Sequence, residues 1–106
     1  MSWQPIPEVS VDELTADEDP NKIVIDVREP LETAEGTIEG ARLVPMAELR
    51  DVIDDLDDDA NLYLVCRSGS RSAYATELLI AAGKRGAKNV AGGMIAWERA
   101  GLPVSR

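Results

Sequence analysis

Two runs in this chain, Ile23-Val24-Ile25 and Leu62-Tyr63-Leu64-Val65, carry no charged or amide side chain at any position. A half-exposed strand alternates apolar with polar residues, so an unbroken run is expected where both faces of a sheet are covered. Between and after these runs, apolar residues recur at helical spacing: Met46, Leu49, Ile53 and Leu56, then Ala75, Leu78, Leu79 and Ala82. Strands alternating with helices predict an α/β fold, a mostly parallel sheet with helices on both faces. At 106 residues the chain is read as a single domain, 1–106, able to bury a core without staples.

Local signals place the boundaries. Pro5 to Ser10 reads as an extended lead-in, and Ser10-Val11-Asp12-Glu13 has the form of a capping box that opens a short helix through Leu14. The first apolar run ends at Asp26-Val27-Arg28, and Glu29-Pro30 begins a helical turn that reaches Gly36. Ala41 to Val44 is a short strand stopped by Pro45. The helix carrying Met46 to Leu56 is expected to fray near Asp54, because aspartates oppose the negative end of its dipole. Leu62 to Cys66 is the strongest strand. A helix follows from Ser70 or Arg71 to Ala82, with Ala75, Leu78, Leu79 and Ala82 inward and Gly83 as its C-cap. Asn89-Val90-Ala91 forms a last strand, Gly92-Gly93 a turn, and Ile95 to Ala100 a helix ended by Gly101 and Pro103. Trp97 is expected to anchor that helix in the core, and Trp3 could cap the sheet.

The net charge of -9 argues against a nucleic-acid partner. Much of the excess lies in Asp17-Glu18-Asp19 and in the run from Asp51 through Asp59. These read as a solvated loop and an exposed helix end, with a docking surface for a basic partner or adaptation to high salt as the sharper alternatives. No apolar run approaches the ~18 residues of a membrane span, and the first residues lack the basic start and apolar stretch of a secretory signal. One cysteine permits no internal disulfide, and the absence of histidine leaves no plausible zinc site. No metal or other cofactor is expected, and the expected setting is a reducing cytoplasm.

That cysteine, Cys66, closes the strongest strand and precedes Arg67-Ser68-Gly69-Ser70-Arg71-Ser72. In open α/β sheets, ligands gather at the carboxyl ends of the strands, and a strand-to-helix turn aims unpaired N–H groups at one point. Cysteine beside an apolar strand is commonly just a small buried hydrophobe. Here it stands at the strand's last position, Gly69 lets the backbone fold tightly, and Arg67 and Arg71 add positive charge. One cation at ~4 Å contributes about 4 kcal/mol at an effective dielectric near 20, before screening. Together these would draw the thiol pKa from about 8.5 towards or below neutrality. With no histidine to take the proton, electrostatics alone must produce the thiolate, which is expected to be open to solvent.

The segment from Cys66 to Ser72 closely resembles the active-site loop of single-domain rhodaneses, whose common form is C-R-S-G-x-R-S. Asp26-Val27-Arg28-Glu29 is similar to the family's D-V-R-E, and Gly36-Thr37-Ile38-Glu39-Gly40-Ala41 to its G-H-I-x-G-A. Val90 to Trp97, with Gly101-Leu102-Pro103-Val104, resembles its terminal G-G-x-x-A-W…G-x-P-V. The resemblance implies a five-stranded sheet and sulfur transfer through a persulfide. By that analogy, Cys66 takes the outer sulfur of a small donor such as thiosulfate and passes it to cyanide or a thiol, a protein thiol included. The backbone of Arg67, Ser68, Gly69, Ser70, Arg71 and Ser72 would cradle the sulfur, with Arg67 and Arg71 binding the donor. Asp26 and Arg28 read as an ion pair supporting the loop rather than as catalytic groups. The chain departs from the pattern at Thr37, where the family has histidine, and at Thr33, where it has an aromatic residue. Lys84 to Lys88 is also longer than the family's usual connection.

Two other function classes compete. A cysteine phosphatase or arsenate reductase would place Cys and Arg around an oxyanion, but the four residues from Arg67 to Ser70 make a tighter cradle than those enzymes use. A non-catalytic rhodanese-like binding module, or a persulfide carrier serving one thiol partner, would keep the same loop.

Overall fold

The expected architecture is present in a computed structural model, which describes residues 5–106. The place considered for Trp3 lies outside the described residues. Five strands, β1 (Glu8–Val9), β2 (Ile23–Asp26), β3 (Arg42–Leu43), β4 (Leu62–Val65) and β5 (Ala87–Val90), form one sheet. Their spatial order is β1-β5-β4-β2-β3, and every pairing is parallel. The uninterrupted apolar run Leu62 to Val65 is thus the central strand, buried at all four positions. The two edges are only two residues long, which leaves little unpaired backbone exposed.

Among the described residues, five α-helices accompany the strands: α1 (Val11–Ala16), α2 (Pro30–Thr33), α3 (Leu49–Val52), α4 (Ser70–Ala81) and α5 (Gly93–Arg99). Alternation along β4 divides the core in two, since successive side chains leave a strand on opposite faces. Leu62, Leu64 and Cys66 join Ile25, Leu49, Leu56, Ala75 and Leu79 beneath α3 and α4. Tyr63 and Val65 join Val11, Leu14, Val90, Met94 and Trp97 beneath α1 and α5. Trp97 anchors α5 as expected, and its Nε1 donates to the Pro103 carbonyl at 2.8 Å.

The capping box forms as the sequence suggests: Glu13 N donates to Ser10 Oγ at 3.1 Å and Ser10 N to Glu13 Oε1 at 3.3 Å. Elsewhere the local expectations need correction. The stretch from Met46 to Leu56 is not one helix. A 3-10 turn (46–48), one α-helical turn and a second 3-10 turn (53–55) replace it, and Leu49 and Leu56 alone are fully buried in it. Acidic residues crowd its carboxyl end, where they oppose the dipole and favour the tighter turn. In α4, Ala82 is exposed, whereas Ser72, Ala75, Thr76 and Leu79 form the buried stripe. The helix ends before Ala82 can face inward, as Gly83 N and Lys84 N donate back to the carbonyls of Ile80 and Leu79.

The acidic segment at 17–19 is more than a solvated loop. Asp17 Oδ2 accepts from Asn61 Nδ2 at 2.8 Å and from the Tyr63 hydroxyl, and Asp19 Oδ2 accepts from Asn61 Nδ2 at 3.0 Å. The Lys88 ammonium lies 4.6 Å from the centre of the Tyr63 ring. In the run at 51–59 every aspartate is exposed, and Asp58 accepts from Lys84 Nζ at 2.9 Å. Among the described residues, no helix is long and apolar enough to cross a membrane.

Candidate active site

Cys66 directly follows β4, at the carboxyl end of the sheet's central strand, and the loop 66–69 leads straight into α4. Two neighbours shape that loop. Gly69 adopts φ +103° as the N-cap of α4, a conformation that favours glycine and turns the chain abruptly from strand to helix. From β5, the turn at Gly92-Gly93 brings the start of α5 against the loop. There Met94 N donates to the Cys66 carbonyl at 2.9 Å and Ile95 N to the Arg67 carbonyl at 3.0 Å. A Cβ at Gly93 would stand 2.2 Å from the Cys66 oxygen and 2.7 Å from the Arg67 oxygen, so only glycine permits this approach.

Those contacts orient the loop's donors. A trans peptide points its C=O and N–H in opposite directions. Drawing the Arg67 carbonyl towards α5 therefore turns the Ser68 N–H the other way, towards the sulfur. Gly69 N donates to Cys66 Sγ at 3.1 Å and Ser72 Oγ to the same atom at 3.2 Å. Burial pushes the Cys66 thiol up, but the Ser72 hydroxyl and the amides of Ser72, Gly69 and Ser68 outweigh it, and the pKa lies below the ordinary value. Main-chain donors and one hydroxyl thus surround the sulfur, and these act on its anion ahead of the arginine charge that the sequence suggested.

The expectation of a sulfur open to solvent does not hold, because Cys66 has no exposed surface. The side chain follows Leu62 and Leu64 onto the α4 face and packs against Ala75 and Leu79, while hydrogen-bond donors cover its polar side. Exclusion of water makes each of those donors more effective.

The two loop arginines differ. Arg71 is engaged by a partner the sequence reading did not single out: Nη1 donates to Glu32 Oε1 at 2.6 Å and Nη2 to Glu32 Oε2 at 2.8 Å. This fork ties α2 to the first turn of α4. The Arg71 hydrogen bonds hold the Glu32 carboxyl down at about 2, and Glu32 in turn raises the guanidinium. Arg67 is exposed and, among the described residues, belongs to no ion pair. It lines a cavity of about 260 Å³ together with Arg28, Glu32, Glu35, Met94 and Glu98. Ser68 and Ser70 are exposed at the loop's rim, with their hydroxyls 3.5 Å apart.

Asp26 and Arg28 form a buried ion pair, Nη2 to Oδ2 at 2.8 Å and Nε to Oδ1 at 3.0 Å. Arg28 also donates to the Gly36 carbonyl at 2.7 Å, and Thr37 Oγ1 donates to Asp26 Oδ2 at 2.8 Å. The pair is saturated by its own neighbours, and its hydrogen bonds run to Gly36 and Thr37 rather than to the Cys66 loop. Thr37, the departure from the resembled pattern, supplies one of those bonds.

A further polar group reaches the sulfur indirectly. Asn89 of β5 is buried, its Oδ1 lies 2.6 Å from Ser72 Oγ, and its Nδ2 donates to Glu8 Oε2 at 2.9 Å and to the Gly69 carbonyl at 3.1 Å. The sequence held one signal of this: asparagine is depleted in strands, so one in a parallel strand has a reason to be there. Glu32 offered no comparable signal, since an acidic residue in the first turn of a helix is ordinary.

A family model described as rhodanese-like domain matches residues 10–100. The chain is 37% identical over 82 residues to a sulfurtransferase of Allochromatium vinosum, covering 77% of each protein. It is 35% identical over 92 residues to thiosulfate sulfurtransferase 16, chloroplastic, of Arabidopsis thaliana, covering 76% of this chain and 77% of that one. The structure superposes on a rhodanese-like domain protein from Staphylococcus aureus with a TM-score of 0.83 and 37% identity, over 95% of this chain and all (100%) of the other.

Proposed function

This chain belongs to the rhodanese-like domain family, and from that membership we propose that it is a sulfurtransferase working through a persulfide on Cys66. The observation that carries the proposal is the convergence of Gly69 N, Ser72 Oγ and the neighbouring amides on one sulfur atom. An inert buried cysteine has no use for donors that favour its anion.

The donor is proposed to be thiosulfate or a similar sulfane sulfur compound. The Cys66 thiolate attacks the donor's outer sulfur, a new S–S bond forms as the old one breaks, and sulfite leaves with the electron pair. Amides already aimed at Sγ can stabilise the terminal sulfur of the resulting persulfide without rearranging. Arg67 is the loop cation placed to meet an anionic donor. Arg71, in the first turn of α4 and held by Glu32, adds positive charge that favours the thiolate and an anionic donor. A nucleophilic acceptor then attacks the terminal sulfur and releases the Cys66 thiolate. With no second cysteine in the chain, that acceptor is external: cyanide, a small thiol or a protein thiol. The lone thiol suits a reducing compartment such as the cytoplasm, and residues 1–106 are read as one domain.

The test is mass spectrometry of the protein after exposure to thiosulfate. An added mass of ~32 Da at Cys66, one sulfur atom, is the expected covalent intermediate. Equal thiosulfate:cyanide turnover by wild type and Cys66→Ser would overturn the reading.

A further inference from the structure

Ser72 has one hydroxyl proton and two acceptors to satisfy. Its Oγ lies 2.6 Å from Asn89 Oδ1 and 3.2 Å from Cys66 Sγ, both within hydrogen-bonding distance. The identity of the Asn89 atoms follows from their other partners. Its nitrogen meets two groups that can only accept, the Glu8 carboxylate and the Gly69 carbonyl, so the atom facing Ser72 is the oxygen. Ser72 and Asn89 are both buried, and no water can take the place of a missing donor without entering the core.

This arrangement treats the two forms of Cys66 differently. As a thiol, Cys66 can donate S–H to Ser72 Oγ while Ser72 donates to Asn89, and every group is satisfied. As a thiolate, Cys66 needs the Ser72 proton, and taking it deprives a buried oxygen of its donor. We propose that Asn89 is a positioning residue that sets the acidity of Cys66 by competing with the thiolate for the Ser72 proton, and that Glu8 tunes this competition from the edge of the sheet. Glu8 acts by accepting from Asn89 Nδ2, since a carboxylate on the amide nitrogen polarises the group and makes its oxygen a better acceptor. The chain of contacts runs Glu8, Asn89, Ser72, Cys66 and crosses three elements, β1, β5 and α4. For the proposed transfer, the same competition restrains the free thiolate and relaxes once sulfur is bound, when charge moves from Sγ to the terminal atom. This last consequence rests on the sulfur-transfer reading above; the acidity of the thiol does not.

Several of the charged groups on the elements around Cys66 are paired off. Arg71 of α4 is held by Glu32 of α2, Asp26 at the end of β2 by Arg28, and the start of α5 presents backbone amides. Among the described residues, Arg67 in the loop, Glu8 on β1, Glu77 on α4, Lys88 on β5 and Glu98 and Arg99 on α5 belong to no ion pair, and of these Glu8 alone is joined to the sulfur through hydrogen bonds.

The test titrates Cys66 alkylation by iodoacetamide against pH in the intact protein, where the single cysteine makes the signal unambiguous. Asn89→Leu frees the Ser72 proton and is expected to lower the thiol pKa by about one unit, a tenfold gain in thiolate fraction. Glu8→Gln, on the exposed edge, is expected to shift it the same way by less. In a Ser72→Ala background, where there is no proton to compete for, both shifts should vanish. A raised pKa in Asn89→Leu means that Asn89 merely holds the loop in shape, and overturns the proposal. So does a Glu8→Gln shift of equal size with and without Ser72, which is simple charge repulsion. The surface variant decides the matter should the buried one not fold. Because alkylation needs no sulfur donor, these outcomes stand whether or not the protein transfers sulfur.

Discussion

Glu32 grips Arg71 through both carboxylate oxygens, at 2.6 and 2.8 Å, across 39 residues of sequence. The guanidinium in the first turn of α4 is therefore already paired with a carboxylate before any substrate arrives. Arg71→Ala is expected to raise the Cys66 pKa and weaken use of anionic donors. Glu32→Gln is expected to lower that pKa, because it removes a negative charge and leaves the guanidinium free. Alkylation rates against pH report both, and shifts of the same sign would remove this pair from control of the thiol. Stability should change by at most about 1 kcal/mol in either variant, since both side chains are about a third exposed and solvent screens them.

The buried pair of Asp26 and Arg28 behaves differently. Arg28→Met leaves the Asp26 carboxylate in the core with only Thr37 Oγ1 and the Arg28 backbone amide as donors. A loss of about 3–5 kcal/mol is expected, because a buried charge has lost its partner. Combining it with Asp26→Asn should recover much of that loss. Urea denaturation of the two single variants and the double variant measures the coupling, and additive losses would mean that the two residues act independently.

Gly93→Ala tests the contact between α5 and the loop. The new methyl would overlap the Cys66 and Arg67 carbonyl oxygens, and the residue would also sit at φ +52°. The start of α5 must then retreat, releasing the carbonyls and letting the Ser68 amide turn from the sulfur. The expectation is a destabilisation of about 2 kcal/mol or more with a rise in the thiol pKa. A stable protein with an unchanged alkylation profile would show that α5 does not orient the loop.

The Asp17–Tyr63 contact predicts the shape of the stability curve. The Tyr63 hydroxyl above all, then the Asp19 amide and Asn61, pulls Asp17 from 3.8 to about 2. Its contribution is complete above the unfolded value and disappears as pH falls through about 2. Tyr63 is pushed from 10.0 to about 12, by burial first and then by Asp17. Its contribution is complete below pH 10.0 and disappears as pH rises through about 12. Tyr63→Phe should flatten both limbs of a plot of urea midpoint against pH. Retention of the alkaline limb would assign it to another group.

Much of this was legible from residue order. The unbroken apolar runs identified β2 and β4 as interior strands, and the capping box at Ser10 formed as written. The motif at Cys66 led to the loop around which the polar groups gather. Other features escaped. The stripe on α4 was misread because Ser72 and Thr76 are polar, although they occupy its buried face and bond to Asn89 and to a helix carbonyl. The stretch at 46–56 kept the right apolar spacing, yet the acidic residues at its carboxyl end broke it into 3-10 and α-helical turns.

Read along the chain, pattern alone was enough for the parallel sheet, for its strongest strand and for the cysteine at that strand's end. Such features arise from backbone hydrogen bonding and periodic burial, which neighbouring residues control. Which partner each polar group takes was settled by packing. Ser72 meets Asn89 17 residues on, and Arg71 meets Glu32 only because β2 lies beside β4 in register. The burial of the sulfur likewise depends on how closely α4 and α5 dock on the loop, a distance that no local pattern encodes.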